Sequence, residues 1–326
     1  MVRRVPRTGV SVQGRAVVGV VFLVFCYGAH PGTAAEPEPA RLKTLRIGLV
    51  SSLFRDVPEW MVKASLPPFR TLLAAQTGLD GDLIAGGEPE EVGEALTKNK
   101  LHLGVFHGFE FAWARQKHPD LLPLVIIVNQ DRRLFAHVLV RQDSQITRLA
   151  DLRGQTLAFP HKSPEYSRLF VERKCRIGSD PWQRFFSQVK TPANTEEALD
   201  DVVDGTVTAA IVDGVGLRCY QQRKPGRFAK LKEIHKSERF PPAVVAYHAG
   251  ALDEAALRSF RDGMIHANEQ VLGRHVLTLW RITGFEKVPD DYEQTLATTL
   301  KAYPRLPLAE PPAPKAAVKV SKLAAP

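Results

Sequence analysis

Along most of the chain, short apolar runs alternate with longer stretches of helical period. Leu45 to Val50 reads as a buried strand, and Pro58 to Gln76 as a helix that Gly78 closes, glycine being the residue that most readily takes the left-handed C-terminal conformation. Leu101 to Phe106 is a second strand candidate, followed by a helix from about Phe109 to Lys117. Leu124 to Val128 and His137 to Arg141 are apolar runs of strand length. Gln155 to Phe159, a helix from about Pro164, and Ala209 to Val212 continue the alternation. Strands separated by helices predict an α/β fold of mostly parallel sheets covered on both faces.

The two ends depart from this pattern. Residues 1–35 hold Arg3, Arg4, Arg7 and Arg15 and no acid. An apolar run from Ala16 to Ala29 follows, shorter than a comfortable membrane span. Thr33 and Ala35 sit three and one positions before a cut ahead of Glu36, so an export signal is expected, with an uncleaved anchor as the alternative. After Tyr303 apolar periodicity stops. Eleven of the last 21 residues are Pro or Ala, and residues 306–326 read as a disordered tail.

Charge sharpens the reading. The 326 residues carry 44 Lys+Arg against 35 Asp+Glu, a formal +9. The N-terminal arginines and the tail lysines Lys315, Lys319 and Lys322 supply most of that excess, leaving only about +3 on residues 36–305. Such a balance is no phosphate-backbone footprint, and nucleic-acid binding is not expected. Three cysteines exclude a disulfide-stapled scaffold, and no C-x-x-C pair occurs. A single bridge between Cys175 and Cys219 stays open. No G-x-S-x-G, P-loop, G-x-G-x-x-G or H-E-x-x-H motif is present, so an enzyme is not expected. His102 and His107 stand five residues apart, on opposite faces of a strand, which argues against a shared metal. Neither a metal nor a cofactor is predicted.

The order of segments carries a resemblance. Ser51 and Ser52 end the first strand, and a long helix holds Leu72 to Gly78. Gly104 to Phe111 runs from a strand into a helix, and Val140 to Phe159 fits the pattern "radSxIxxLaDLrGkxxAF". Over roughly residues 44–303 the chain resembles the periplasmic phosphate/phosphonate-type substrate-binding proteins of ABC transporters, a branch of the two-lobed type II binding-protein fold. The resemblance implies lobe 1 over 44–138 and 241–303 and lobe 2 over 139–240. It places crossovers near Phe135–Arg141 and Ser237–Val245, the latter with Pro241 and Pro242. It further implies a periplasmic monomer holding a small anion or zwitterion between the lobes, with an ABC permease, or alternatively a membrane sensor, as partner.

The resemblance also nominates site residues, each with a structural alternative. Ser51 and Ser52 offer hydroxyls, or simply form a turn. In the loop His107 to Phe111, Gly108 permits close approach while Phe109 and Phe111 line a wall, or the segment packs a helix start. The family's Tyr is Phe here, which removes a phenolic donor. His137 donates to an anion at the first crossover, or is a structural histidine. Ser163 is expected as the N-cap of a helix with Pro164 at its first position, and Tyr166 and Ser167 lie in its first turn. Glu165 replaces a hydroxyl residue there and opposes a phosphate. Asp213 meets a cationic group, or makes an Asp-Gly turn.

Overall fold

A computed structural model describes residues 44–55 and 57–306; the expected export signal and nearly all of the expected tail lie outside the described residues. The chain begins with β1 (Thr44–Leu49), α1 (Glu59–Thr77), β2 (Asp80–Ala85), α2 (Pro89–Thr97), β3 (Leu103–Phe106), α3 (Gly108–Lys117) and β4 (Leu121–Val128). Next come β5 (Ala136–Arg141), β6 (Thr156–Ala158), α4 (Glu165–Lys174), β7 (Gln188–Lys190), α5 (Thr195–Val203), β8 (Ala209–Asp213), α6 (Gly214–Arg223), α7 (Pro225–Phe228) and β9 (Leu231–Lys236). It closes with β10 (Ala243–His248), α8 (Glu254–Ile265), α9 (Val271–Leu279), β11 (Gly284–Glu286) and α10 (Tyr292–Ala302).

Two sheets result, ordered β11-β4-β10-β3-β1-β2 and β7-β6-β8-β5-β9. In the first, β1 runs parallel to β2 and β3, while β10 lies antiparallel between β3 and β4 and β11 antiparallel against β4. In the second, β6 is parallel to β7 and β8, and β5 is antiparallel to β8 and β9. Apart from the short edge strand β11, each sheet is therefore parallel except for β5 and β10, the strands that follow a passage between lobes. Those enter from the cleft edge and must run the other way.

The local chemistry of α1 is legible. Gly78 sits at φ 69°, and its N–H returns to the Ala74 carbonyl at 2.9 Å. The helix continues through Pro67 and Pro68 because Val62, Leu72 and Leu73 on one face are buried. Tertiary packing overrides the helix-breaking tendency there. On the β1 side of α1 the first core gathers Leu45, Ile47, Leu72, Phe260 and Met264. The opposite face of the same sheet buries Val92, Leu96, Phe111 and Tyr292 under α2, α3 and α10. Lobe 2 has Val138, Leu157 and Phe170 on one side and Leu139, Leu199 and Tyr220 on the other.

The chain passes between sheets over residues 129–135 and 237–242. The first crossover thus meets the expected Phe135–Arg141 only at Phe135, since the residues from Ala136 onward form β5 and pair with β8 and β9. Lobe 2 begins at about 136 and not 139, and His137 is a strand residue. The two passages are joined side by side. Phe240 N–H donates to Leu134 O at 2.9 Å, and Ser237 N–H donates to Ala136 O at 2.9 Å. Ala136 N–H in turn donates to Ser237 Oγ at 2.9 Å.

The C-terminal edge also differs. Trp113 Nε1 donates to Tyr303 O at 2.9 Å, and the Tyr303 hydroxyl donates to Glu238. Arg305 lies over the Trp113 ring at 5.0 Å and pairs with Glu90 at 3.0 Å. Packing against lobe 1 thus extends two residues past the expected boundary at Tyr303. Cys175 is buried, Cys219 is exposed, and both are free thiols, so the bridge left open above is not formed.

Candidate functional site

A cavity of about 530 Å³ is lined by residues of both lobes. Ser52, Arg55, His107, Gly108 and Phe109 come from lobe 1, and Ser163, Glu165, Tyr166, Arg168 and Asp213 from lobe 2. Leu134, Asp131 and Pro241 of the crossovers close it from behind. This position agrees with the rule that α/β sheets offer ligand crevices at the carboxyl ends of their strands.

The loop after β1 is a 3-10 turn, Ser51–Phe54. Ser52 Oγ donates to Glu110 Oε2 at 2.8 Å, and the same oxygen accepts His107 N–H at 3.4 Å. Glu110 is only 5% exposed, and burial pushes its carboxyl up to about 7, opposed by the Ser52 hydroxyl. His107 precedes α3 with its ring stacked on Phe109 at 5.7 Å. Its Nε2 is buried with no hydrogen-bond partner. Burial holds this imidazole below its ordinary value, with the Glu165 charge acting the other way. Gly108 is required by sterics, since a Cβ there would stand 2.3 Å from Pro241 O.

Across the cavity, α4 starts at Glu165 with extended Pro164 before it (φ −58°, ψ 151°). Ser163 therefore does not cap the helix as expected. Its Oγ donates to Pro160 O at 2.8 Å, closing a turn, and the N-cap position falls to Pro164, which has no side-chain acceptor. Glu165 occupies the helix start, where the dipole favours a negative charge. Its Oε1 accepts Arg55 Nε at 2.7 Å, an ion pair that joins lobe 1 to lobe 2. Burial raises the Glu165 carboxyl, and Arg55 offsets part of that shift. Arg168 approaches the same oxygen at 3.5 Å. Tyr166 lies against Phe240 at 5.5 Å, and its phenol is raised by burial. Asp213 Oδ1 accepts Val215 N–H at 3.0 Å and Gly216 N–H at 2.9 Å, so the carboxylate caps α6 while it borders the cavity.

Seven of the sequence-nominated residues meet here: Ser52, His107, Gly108, Phe109, Ser163, Tyr166 and Asp213. Four do not. Ser51 borders an adjoining cavity of about 570 Å³, which shares Ser52, Arg55, Phe109, Glu165 and Arg168 with the first. Phe111 is 0% exposed and packs on Phe106 in the lobe 1 core, because helical spacing turns it a half-turn away from Phe109. His137 points into the β5–β9 face, with Nδ1 2.5 Å from Glu233 Oε2. Ser167 is fully buried in α4. Sequence reasoning did not single out Arg55, whose partner is 110 residues away. Nor did it single out Asp131, which pairs with Arg218 at 2.9 Å and ties the first crossover to α6.

Comparison with known proteins bears on this two-lobed cleft. A family model for the periplasmic substrate-binding proteins of phosphonate ABC transporters matches residues 59–292, more than two thirds of the chain. The chain belongs to this family. A phosphonate-type binding protein is a transport component rather than an enzyme. No protein of curated function matches the sequence. Among solved structures, a Xanthomonas citri protein with chloride bound is similar over 80% of this chain and 97% of its own, at 17% identity and a TM-score of 0.54. The same protein with ATP bound gives 18% identity and 0.53 over the same shares. A Prochlorococcus marinus protein in complex with methylphosphonate gives 12% identity and 0.49, over 79% of this chain and 97% of its own. At these identities the structural likeness shows the fold. No helix among the described residues is long and apolar enough to cross a membrane.

Proposed function

We propose that this phosphonate-type binding protein captures a small anionic or zwitterionic solute, phosphonate- or phosphate-like, in the cavity between its lobes. It would work as a periplasmic monomer and deliver that solute to an ABC permease. One observation carries the reading: loops from both lobes and both crossovers converge on a single cavity. A solute touching both sides favours the closed arrangement, and differential binding of that kind drives lobe closure. The start of α4 offers N–H donors toward an anion, and the Ser52 and Ser163 hydroxyls would join them by turning from Glu110 and the Pro160 carbonyl. Asp213 faces the cavity where a cationic end would be met.

The test is a thermal-shift panel of phosphate, phosphite, methylphosphonate, sulfonates and thiamine-like heterocycles. A ligand specific to the native state at a hundredfold excess over its Kd adds about 2.7 kcal/mol of stability. That corresponds to a rise of several degrees. No saturable rise with any phosphorus or sulfur oxyanion would sink the reading.

A second reading, a sensory module that hands its state to a membrane partner, is favoured by the Arg55–Glu165 pair. That pair already bridges the lobes through the chain's own carboxylate, placed where the sequence resemblance implies a hydroxyl residue. Ligand-stimulated ATP hydrolysis by the reconstituted permease complex separates the two, since only an importer produces it.

A further inference from the structure

We infer that the ligand of this cleft is amphipathic, an organic anion whose alkyl or aryl body enters a hydrophobic chamber inside lobe 1. This rests on the reading above and deepens it by naming the substrate class. The cavity does not stop at the polar loops. It continues between the first sheet and the layer of α1, α8 and α9, past Leu83, Val105 and Ile127 on one side and Phe69, Phe260 and Trp280 on the other. None of these side chains carries a charge. The aromatic wall is built: Trp280 meets Phe69 at 5.0 Å and Phe54 edge-on at 5.8 Å. Aromatic faces of this kind bind flat or flexible apolar bodies.

Two features show that this is a chamber and not a finished core. Phe54, Phe69, Ile127 and Trp280 belong to the lobe 1 core cluster yet are only partly buried. Their incompletely covered surfaces border the same cavity. Protein interiors otherwise pack to crystal-like density, and an unfilled apolar void is destabilising. Apolar cavities stay dry and take up apolar guests.

Size argues the same way. At about 530 Å³ the cavity falls in the ~300–1,000 Å³ range that encloses drug-sized ligands. Phosphate or methylphosphonate, with a handful of non-hydrogen atoms, would occupy the polar mouth and leave the chamber vacant. Polar and charged groups gather on the loops at the cleft, among them Ser52, Arg55, His107, Ser163, Glu165 and Asp213, while Asn129 and Arg281 also border the cavity. A ligand matched to the whole site has one polar head and one apolar body.

The experiment is calorimetric titration of the full chain with methyl-, butyl-, octyl- and phenylphosphonate. Each methylene that enters the chamber should tighten binding by roughly three- to fourfold, with an increasingly negative heat-capacity change along the series. Val105→Phe, which fills the chamber, should flatten the dependence on chain length. If methylphosphonate binds and affinity stays flat through octyl, the chamber is not used and the capture reading stands. If long-chain members bind and methylphosphonate does not, the apolar body is the main determinant. If no member binds, the phosphonate head falls and this inference with it. The wild-type series decides the matter even where Val105→Phe fails to fold.

Discussion

Arg55 Nε and Glu165 Oε1 stand 2.7 Å apart across the cleft, one after β1 in lobe 1 and the other at the start of α4 in lobe 2. An internal carboxylate thus occupies the helix start at which the sequence resemblance implies a hydroxyl residue. Glu165→Ser restores a hydroxyl and removes a charge that opposes an incoming anion. Calorimetry should show phosphonate or phosphate affinity rising about tenfold, equivalent to about 1.4 kcal/mol. Unchanged or weaker binding would place the anion away from this helix start and favour a ligand whose positive end meets Glu165.

Glu110 gives a pH signature. Its folded-state value is about 7 against an ordinary 4.5, because burial penalises the charged form. Between those values the folded chain holds more protons than the unfolded chain. Stability therefore falls as pH rises from about 4.5 to 7 and levels off above that. The full shift corresponds to on the order of 3 kcal/mol. Urea denaturation of Glu110→Gln, which keeps an acceptor for Ser52 and the His107 N–H, should show this part of the decline removed. An identical pH profile in the variant would mean that Glu110 is ionised throughout.

Gly108 holds α3 against the second crossover. A Cβ would meet Pro241 O at 2.3 Å and Pro242 O at 2.5 Å, and backbone atoms cannot swing aside as a flexible side chain can. Gly108→Ala should cost about 1–3 kcal/mol of stability, read from the urea midpoint. A midpoint within error of wild type would show that the crossover has slack at this point.

The thiols should behave as two separate groups. Cys175 is buried and its thiol is pushed up to about 12, whereas Cys219 is exposed. Under native conditions an alkylating reagent should modify Cys219 promptly and Cys175 only on unfolding, since reactivity follows accessible thiolate. Recovery of a linked Cys175–Cys219 peptide would contradict the two free thiols.

Much of the fold was legible because its signals are local. The apolar run at Leu45, the left-handed closure at Gly78 and the strand ending in Asp213 each depend on a few neighbouring residues. The site was less legible for three physical reasons. Ser163-Pro164-Glu165 fits a serine cap with proline in the first turn as well as a helix starting one residue later, and only the extended Pro164 backbone separates the two. Phe109 and Phe111 read alike in sequence, yet helical geometry sends one to the cleft and the other to the core. The Arg55–Glu165 and Asp131–Arg218 pairs exist only once two lobes are assembled, and no local pattern encodes them. Phe54, Phe69 and Trp280 each look like ordinary core residues, and their shared cavity appears only in three dimensions.

A crystal structure with the tightest-binding phosphonate from the calorimetric series tests capture between the lobes most directly. Ligand density should lie in the cleft, in contact with Ser52 or His107 of lobe 1 and with Ser163, Tyr166 or Asp213 of lobe 2. A ligand bound elsewhere, or touching one lobe alone, would contradict capture between the lobes.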